Sequence, residues 1–156
     1  MKRIIKLRKI DSARVPRSPN EIRLFMVARN ESLRLPYIFK YYAKMGVTRF
    51  FVIDNSSTDG TVSFLLSQNN THVFEINESY KEAKSGINWI NTLLNRYGKG
   101  HWCLVVDADE IFIYPYYEKV PLRKLCNFLD QEGSSALGSL LLDMYANKPI
   151  RLTKYK

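Results

Sequence analysis

Apolar residues along the chain form short runs, and the segments between these runs have helical periodicity. Four runs predict buried β-strands, at Ile22 to Ala28, Arg49 to Ile53, His72 to Ile76 and Trp102 to Val106. Each run has the length of an ordinary strand and ends in polar residues, as strands of a buried sheet do. A later apolar run, Ala136 to Leu142, predicts a fifth strand.

The segments between these strands have the spacing of amphipathic helices. Pro36 suits the first turn of a helix, and Gly46 suits its C-terminal end. The apolar stripe between them follows the spacing i, i+3, i+4, i+7 and consists of Leu35, Ile38, Phe39 and Tyr42. The segment after the second strand predicts a helix whose inward face is formed by Val62, Leu65 and Leu66.

Two further helices follow the third and fourth strands. The first spans about Ser85 to Tyr97, and its apolar face consists of Ile87, Ile90 and Leu94. The second begins near Pro121 and ends at Gly133, and its apolar face consists of Leu122, Leu125 and Leu129. Strands separated by such helices predict right-handed βαβ units, so the expected fold class is α/β with a mostly parallel sheet flanked by helices.

Length and composition narrow the class of protein. The 156 residues fit one domain and contain no apolar run long enough to span a bilayer. The N-terminus lacks the apolar core and small-residue cleavage site of a signal peptide. Cys103 and Cys126 have neither zinc-site nor disulfide-scaffold spacing. We therefore expect a cytoplasmic protein.

The net charge of +9 is concentrated near the N-terminus, where residues 1–25 carry eight Lys or Arg and two acidic residues. The expected organisation is a basic N-terminal arm (1–20), one α/β domain (21–147) and a basic C-terminal tail (148–156). The arm is either a solvated, partly disordered leader or a peripheral contact with an anionic membrane at its inner face. No RNP-type strand or helix-turn-helix signal indicates specific nucleic-acid binding.

Polar residues follow each predicted strand, and ligands of parallel sheets bind at the carboxyl ends of the strands. The exit after the most apolar strand carries Asp107 and Asp109 on either side of Ala108. In an extended segment these two carboxylates point to the same side. Such a pair can hold a divalent cation that in turn binds a diphosphate. The alternative is an acidic pair that solvates a turn.

Three stretches carry a family resemblance: Val27 to Glu31, Asp54 to Thr61, and His101 to Glu110. In their order and spacing they resemble the motifs of GT-A-fold glycosyltransferases of the family 2-like group, including the D-x-D motif of that family. The resemblance spans roughly residues 22–146. It implies the N-terminal, nucleotide-binding half of a GT-A fold and a role in surface-polysaccharide or glycolipid assembly.

The resemblance also implies roles for residues at the first two exits. Ala28, Arg29 and Glu31 would line the nucleotide end of the first strand. Asp54 and Asn55 would lie against the base and ribose of a nucleotide-diphospho-sugar, with a UDP-sugar as the expected donor. Asn55 stands where the family usually has a second Asp.

The later exits would hold the diphosphate and its cation. Lys81 or Lys84 would reach the diphosphate, and no motif distinguishes the two. Asp107 would face the ribose or the metal, and Asp109 would be the direct ligand of Mn²⁺ or Mg²⁺. The acceptor would be a glycan or a glycolipid.

The reaction also needs a base for the acceptor hydroxyl, and the family places this base well after its D-x-D motif. Asp143 is the late carboxylate near the end of the predicted fifth strand, and the chain ends soon afterwards at Lys156. We therefore expect a short or truncated transferase, with an inactive remnant or nucleotide-binding partner subunit as the alternative. A phosphatase of the haloacid-dehalogenase type is less favoured, because Glu110 and Ile111 follow the acidic pair where that class has Thr or Gly-Thr.

Overall fold

The computed structural model of the protein describes residues 5–144. Its elements, in chain order, are β1 (Arg8–Lys9), β2 (Ile22–Ala28), α1 (Leu35–Met45), β3 (Arg49–Asp54), α2 (Thr61–Ser67), β4 (Thr71–Glu75), α3 (Ile87–Leu93), β5 (Trp102–Val105) and α4 (Leu122–Gln131). A π-helical segment, Leu94–Gly98, continues directly from α3. The predicted tail 148–156 and the first four residues of the predicted arm lie outside the described residues.

The five strands form one sheet in the order β1-β4-β3-β2-β5. Strands β2 to β5 are parallel to their neighbours, and β1 is antiparallel to β4. This architecture confirms the predicted α/β class with a mostly parallel sheet flanked by helices. Within the parallel part, β3 and β4 are added on one side of β2 and β5 lies on its other side, so the strand order reverses between β2 and β5.

Helices cover both faces of the sheet and divide the core into two layers. Leu24 and Met26 of β2 pack in one layer with apolar residues of α1, α2 and α4. Phe25 of β2 and Phe51 of β3 stack in the other layer, which is closed by α3. Because both faces are buried, these strands are continuous apolar runs in the sequence, and this is why their positions could be predicted.

Two predicted helix faces are partly wrong. Ile87 was expected to be buried but is 56% exposed, whereas Ile90 is buried as predicted and is joined there by Trp89 and Leu93. The helix starts at Ile87 rather than Ser85, directly after Gly86, whose backbone is left-handed. In α2, Leu65 is fully buried, whereas Leu66, also expected to face inward, is 48% exposed.

The predicted strand Ala136 to Leu142 is absent. This segment is exposed and has no regular structure, and Leu140 is 98% exposed. It borders an open concavity of about 2390 Å³ that β5 and α4 also line. Apolar sequence favours a strand, but a strand is stable only when it pairs with a neighbour, and the described residues offer this segment none.

The N-terminal arm joins the sheet through β1, whose Arg8 and Lys9 pair with Glu75 and Phe74 of β4. The backbone N–H of Val73 then donates to the Asp11 carboxylate at 2.9 Å. Residues 8–11 of the arm are therefore held against the sheet. A two-residue strand has too short an apolar pattern to be predicted from sequence.

A buried polar network fixes the arm to the opposite end of the sheet from the strand exits. Asp11 Oδ1 accepts from Lys9 Nζ at 2.6 Å and lies 3.2 Å from His72 Nδ1. His72 Nε2 lies 3.3 Å from Arg49 Nη1, and Arg49 also donates twice to Glu21. Because a guanidinium can only donate, His72 Nε2 accepts and Nδ1 carries the proton. Burial lowers the pKa of His72 and favours this neutral form.

No helix among residues 5–144 is long and apolar enough to cross a membrane.

Candidate ligand-binding site

The strand exits meet at the carboxyl edge of the sheet, where the strand order reverses between β2 and β5. The helix α1 follows β2 on one face, and α3 precedes β5 on the other face. At such a reversal of strand order, α/β sheets typically bind ligands in a crevice outside the carboxyl ends of the strands. Arg29 after β2 and Asp107 after β5 are the residues that flank this position.

Side chains tie the exits of β2 and β3 to each other. Asn30, which has a positive φ of 57°, accepts from the backbone N–H of Thr58 at 2.8 Å. Asp59 accepts from the N–H groups of Thr61 and Ser32, at 2.9 and 3.1 Å. Hydrogen bonds from Thr61 and Ser32 hold the pKa of Asp59 well below its usual range. Asn30 and Asp59 therefore hold the two loops in shape, and we expect neighbouring residues to contact a ligand.

Asn55 ties the β2, β3 and β4 exits together. Its backbone N–H donates to Ala28 O at 2.9 Å, and its side-chain nitrogen donates to the carbonyls of Ile76 and Glu78, at 3.2 and 3.0 Å. The residue is buried, and so is the side chain of Ala28. Contact of Asn55 with a base therefore remains a prediction. In this conformation the side-chain nitrogen of Asn55 already donates to two carbonyls and is not directed at a ligand.

Asp54 has the most unusual environment at this edge. Its carboxylate is 2% exposed, and Oδ2 accepts from the backbone N–H of Ser57 at 3.1 Å. The other oxygen, Oδ1, is buried and has no hydrogen-bond partner. Buried acceptors without donors are rare in folded proteins, because they lose the hydrogen bonds of water without replacement. Asp54 is therefore a candidate binding residue on structural grounds as well.

The predicted acidic pair lies in a turn rather than in an extended segment, since β5 ends at Val105. We call residues 107–110 the carboxylate turn: Glu110 N donates to Asp107 O at 3.2 Å, and Asp107 N donates to Glu110 Oε2 at 2.9 Å. Ala108 is buried between the exposed Asp107 and Asp109. Both carboxylates therefore still point away from the core.

Negative charge accumulates at the carboxylate turn. Partial burial of the Asp107 carboxyl group raises its pKa, and the charges of Glu110 and Asp109 raise it further. Glu110 was not among the predicted site residues, although its position directly after the pair was a signal that could have identified it.

Tyr80 forms a second wall of the crevice and was also missed. Its ring packs against Gly86, where an added Cβ would lie 2.9 Å from Tyr80 Cε2, and lies 6.0 Å from the ring of Trp89. Burial raises the pKa of Tyr80, and the charges of Asp107 and Asp109 add to this effect. The loop 77–86 therefore faces the carboxylate turn.

The remaining predicted residues lie around this crevice. Lys81 and Lys84 are exposed on the loop 77–86, and nothing in their placement distinguishes them. Arg29 is exposed at the end of β2. The Glu31 carboxylate accepts from Arg34 Nη1 at 2.7 Å, so Glu31 is paired within the α1 entry.

The residues at the carboxylate turn suit a cation that is shared with a ligand. Among residues 5–144, no three His, Cys, Asp or Glu side chains are grouped to hold a metal by themselves. Mg²⁺ and similar hard cations are often bound by only one or two carboxylates together with phosphate oxygens. Asp107 and Asp109 supply such a pair, and the raised pKa of Asp107 marks negative charge that a cation would offset.

Asp143 does not lie at the end of a strand as predicted, because the strand that would have positioned it is absent. It is exposed and borders the same concavity as Asp109 and Glu110.

Comparison with known proteins leaves the crevice to be interpreted from its own geometry. No model of a protein family matches the chain, and neither does any curated protein.

Proposed function

We propose that the protein is a glycosyltransferase of the family 2-like group. It binds a nucleotide-diphospho-sugar, with a UDP-sugar as the expected donor, together with Mn²⁺ or Mg²⁺. The sugar is then transferred to a glycan or glycolipid acceptor. The observation that carries this proposal is the position of the carboxylate turn at the reversal of strand order between β2 and β5, where α/β sheets of this kind bind nucleotides.

Different residues around the crevice bind different parts of the donor. Asp107 and Asp109 hold the cation, which acts as a Lewis acid on the diphosphate oxygens when it is bound. Lys81 or Lys84, on the loop across the crevice from this acidic pair, adds a positive charge that binds the diphosphate. The nucleotide then lies over the ends of β2 and β3, where Arg29 and Asp54 are placed.

The unpartnered oxygen of Asp54 gives independent support. A base or ribose lying over the end of β3 brings N–H or O–H donors to an acceptor that has none in the free protein. The free-energy cost of removing this oxygen from water already falls on the folded protein. A hydrogen bond from the ligand therefore carries no further desolvation cost for Asp54 and contributes fully to affinity.

The compartment and the arm complete the proposal. Cys103 and Cys126 are free thiols, as is usual in the reducing cytoplasm. Lys6 and Arg8 are exposed on the arm beside Arg96, where an anionic membrane can contact them. Lys6→Ser should reduce co-sedimentation with phosphatidylserine vesicles, whereas equal co-sedimentation would remove the membrane contact from the proposal.

Isothermal titration with UDP, with and without Mn²⁺, tests the donor site. We expect binding that strengthens with Mn²⁺ and loses that gain in Asp109→Asn, because the variant lacks one anionic ligand. Glu132→Gln, which removes an exposed charge beyond the end of α4, is the matched control and should bind as the wild type does. A folded wild-type sample that binds UDP in neither condition would refute the donor site.

The placement of Asp143 favours a second candidate, a nucleotide-binding partner that transfers nothing. In the described part of the chain this candidate base is in exposed, irregular chain, and no strand holds it near the crevice. Hydrolysis of UDP-glucose or transfer of its sugar, if lost in Asp109→Asn, would exclude this candidate. Tight binding with no turnover of any donor tested would favour it.

A further inference from the structure

Tyr42 of α1 links the helix to the carboxylate turn. Its side chain is fully buried, and its hydroxyl donates to Glu110 O at 3.0 Å. The same hydroxyl accepts from the backbone N–H of Phe112, also at 3.0 Å. One side chain thus satisfies two backbone groups at the end of the turn that carries the acidic pair.

The turn also has two hydrogen bonds of its own, both between Asp107 and Glu110. On the β5 side, Val106 N donates to Phe25 O at 3.2 Å. On the far side, the Tyr41 hydroxyl donates to Phe112 O at 2.8 Å. Beyond its internal hydrogen bonds, the backbone from residue 107 to residue 112 is held by the sheet on one side and by two tyrosine hydroxyls of α1 on the other.

The hydroxyl of Tyr42 is suited to both hydrogen bonds at once. Burial raises the pKa of Tyr42 to about 12. The group therefore keeps its proton at neutral pH and can donate to one backbone group while it accepts from the other. Phenylalanine at this position would fill the same space and leave both backbone groups without this partner.

We propose that Tyr42 is a positioning residue for the metal–diphosphate site, an inference that rests on the proposed function. Tyr42 does not touch the ligand. Its hydroxyl fixes the backbone that sets the separation and direction of Asp107 and Asp109, and a shared cation tolerates little error in either. Groups that orient metal ligands in this way change metal affinity by about 10–100-fold when removed.

The test compares Tyr42→Phe with Tyr114→Phe. Tyr114 is also a buried tyrosine, but its hydroxyl donates to Val120 O, beyond the turn. Isothermal titration gives UDP affinity without metal, and Mn²⁺ electron paramagnetic resonance gives Mn²⁺ affinity in the presence of UDP. We expect Tyr42→Phe to lower Mn²⁺ affinity by about 10–100-fold and to leave metal-free UDP affinity within about twofold. Tyr114→Phe should leave both affinities within about twofold.

Each result supports or overturns the inference. A wild-type protein that binds neither UDP nor Mn²⁺ overturns the proposed function and this inference with it. The inference alone is overturned if the wild-type protein binds both UDP and Mn²⁺ and Tyr42→Phe binds Mn²⁺ as tightly as the wild type does. It is also overturned if Tyr42→Phe loses no more Mn²⁺ affinity than Tyr114→Phe does. If Tyr42→Phe does not fold, Tyr41→Phe removes one partner of the same turn at a partly exposed position. A smaller loss of Mn²⁺ affinity then supports the inference, and unchanged affinity overturns it.

Discussion

At the scale of single residues, Gly86 leaves less room for a side chain than the other described glycines do. Its φ is +76°, and an added Cβ would lie 2.9 Å from Tyr80 Cε2 and 3.0 Å from Val27 Cγ2. Gly86→Ala therefore combines left-handed backbone strain with overpacking against the crevice wall. We expect the free energy of unfolding, measured by urea denaturation, to fall by about 2–4 kcal/mol.

Gly100 separates these two causes. Its φ of +78° is nearly the same, but an added Cβ would have no atom within 4 Å. Gly100→Ala should therefore cost only the backbone strain, about 1 kcal/mol. Equal losses in the two variants would show that the contact with Tyr80 and Val27 has no energetic weight.

Asp54 and the adjacent Asn55 should respond in opposite ways when each takes the other's chemistry. Asp54→Asn replaces a carboxylate with an unpartnered oxygen by a neutral amide, which costs less to bury. We expect unchanged or higher stability in thermal unfolding, together with at least about tenfold weaker UDP binding in titration, since one good hydrogen bond is worth about that factor.

Asn55→Asp should instead be destabilising. The substitution replaces the amide that donates to Ile76 O and Glu78 O by an acceptor facing two acceptors. We expect the free energy of unfolding of Asn55→Asp to be lower by about 2 kcal/mol or more. If Asp54→Asn proves the more destabilising of the two, Asp54 has a structural role and its open oxygen does not mark a ligand site.

At the scale of elements, the burial of His72 in β4 should make stability depend on pH. The pKa of His72 is lowered in the fold, so below the unfolded value of about 6.5 the unfolded chain binds a proton that the folded chain does not. This contribution is complete above pH 6.5 and is lost as the pH falls through the folded pKa. The carboxylates Asp11 and Glu21, whose pKa values are also lowered, lose their contribution only in more acidic solution.

Thermal unfolding between pH 7.5 and 5.5 measures this effect. The melting temperature of the wild-type protein should fall across this range, and His72→Gln should flatten the dependence. Burial also lowers the pKa of His101, so His101→Gln measures the share of the second histidine. A His72→Gln variant that keeps the wild-type slope would contradict the role assigned to the network.

Sequence predicted the elements that depend on burial and missed those that depend on pairing. Strands β2 and β3 are apolar on both faces, so composition alone identifies them. The segment 136–142 is equally apolar, but its conformation depends on a neighbouring strand, which no local pattern encodes. The opposite holds for the two residues of β1, which have no apolar pattern but form a strand because they pair with β4.

The candidate site divides in the same way. Asp54, Asp107 and Asp109 were identified because polar residues after apolar runs are visible in the sequence. Tyr42 and Tyr80 were not, because the importance of Tyr42 comes from its hydrogen bonds with Glu110 and Phe112, and that of Tyr80 from the charge of carboxylates on a different strand exit. Tyr42 was predicted only as part of a helix stripe, which describes its ring and not its hydroxyl.

At the scale of the whole molecule, exposed apolar side chains are concentrated beside β5. Leu140, Leu142 and Met144 are each at least 78% exposed, and Val105 on β5 is 51% exposed. Continuous apolar surface of this kind promotes association. We expect the average mass measured by light scattering after size exclusion to rise with protein concentration, and Leu140→Lys to weaken this rise.

Ser139→Lys is the matched control for this prediction. It adds the same charge one residue earlier and removes no apolar surface, since Ser139 is also exposed. An equal effect of the two substitutions would show that charge repulsion, and not loss of the leucine, limits the association.

The strand β1 has a further consequence for such association. It covers the edge of β4 and presents only two residues outward, Arg8 and Lys9, both of them cations. Short, charged edges resist pairing with another chain, so within residues 5–144 the edge of β5 is the sheet edge that remains open. A sheet that can be extended at one end only forms a closed pair and cannot propagate into a fibre.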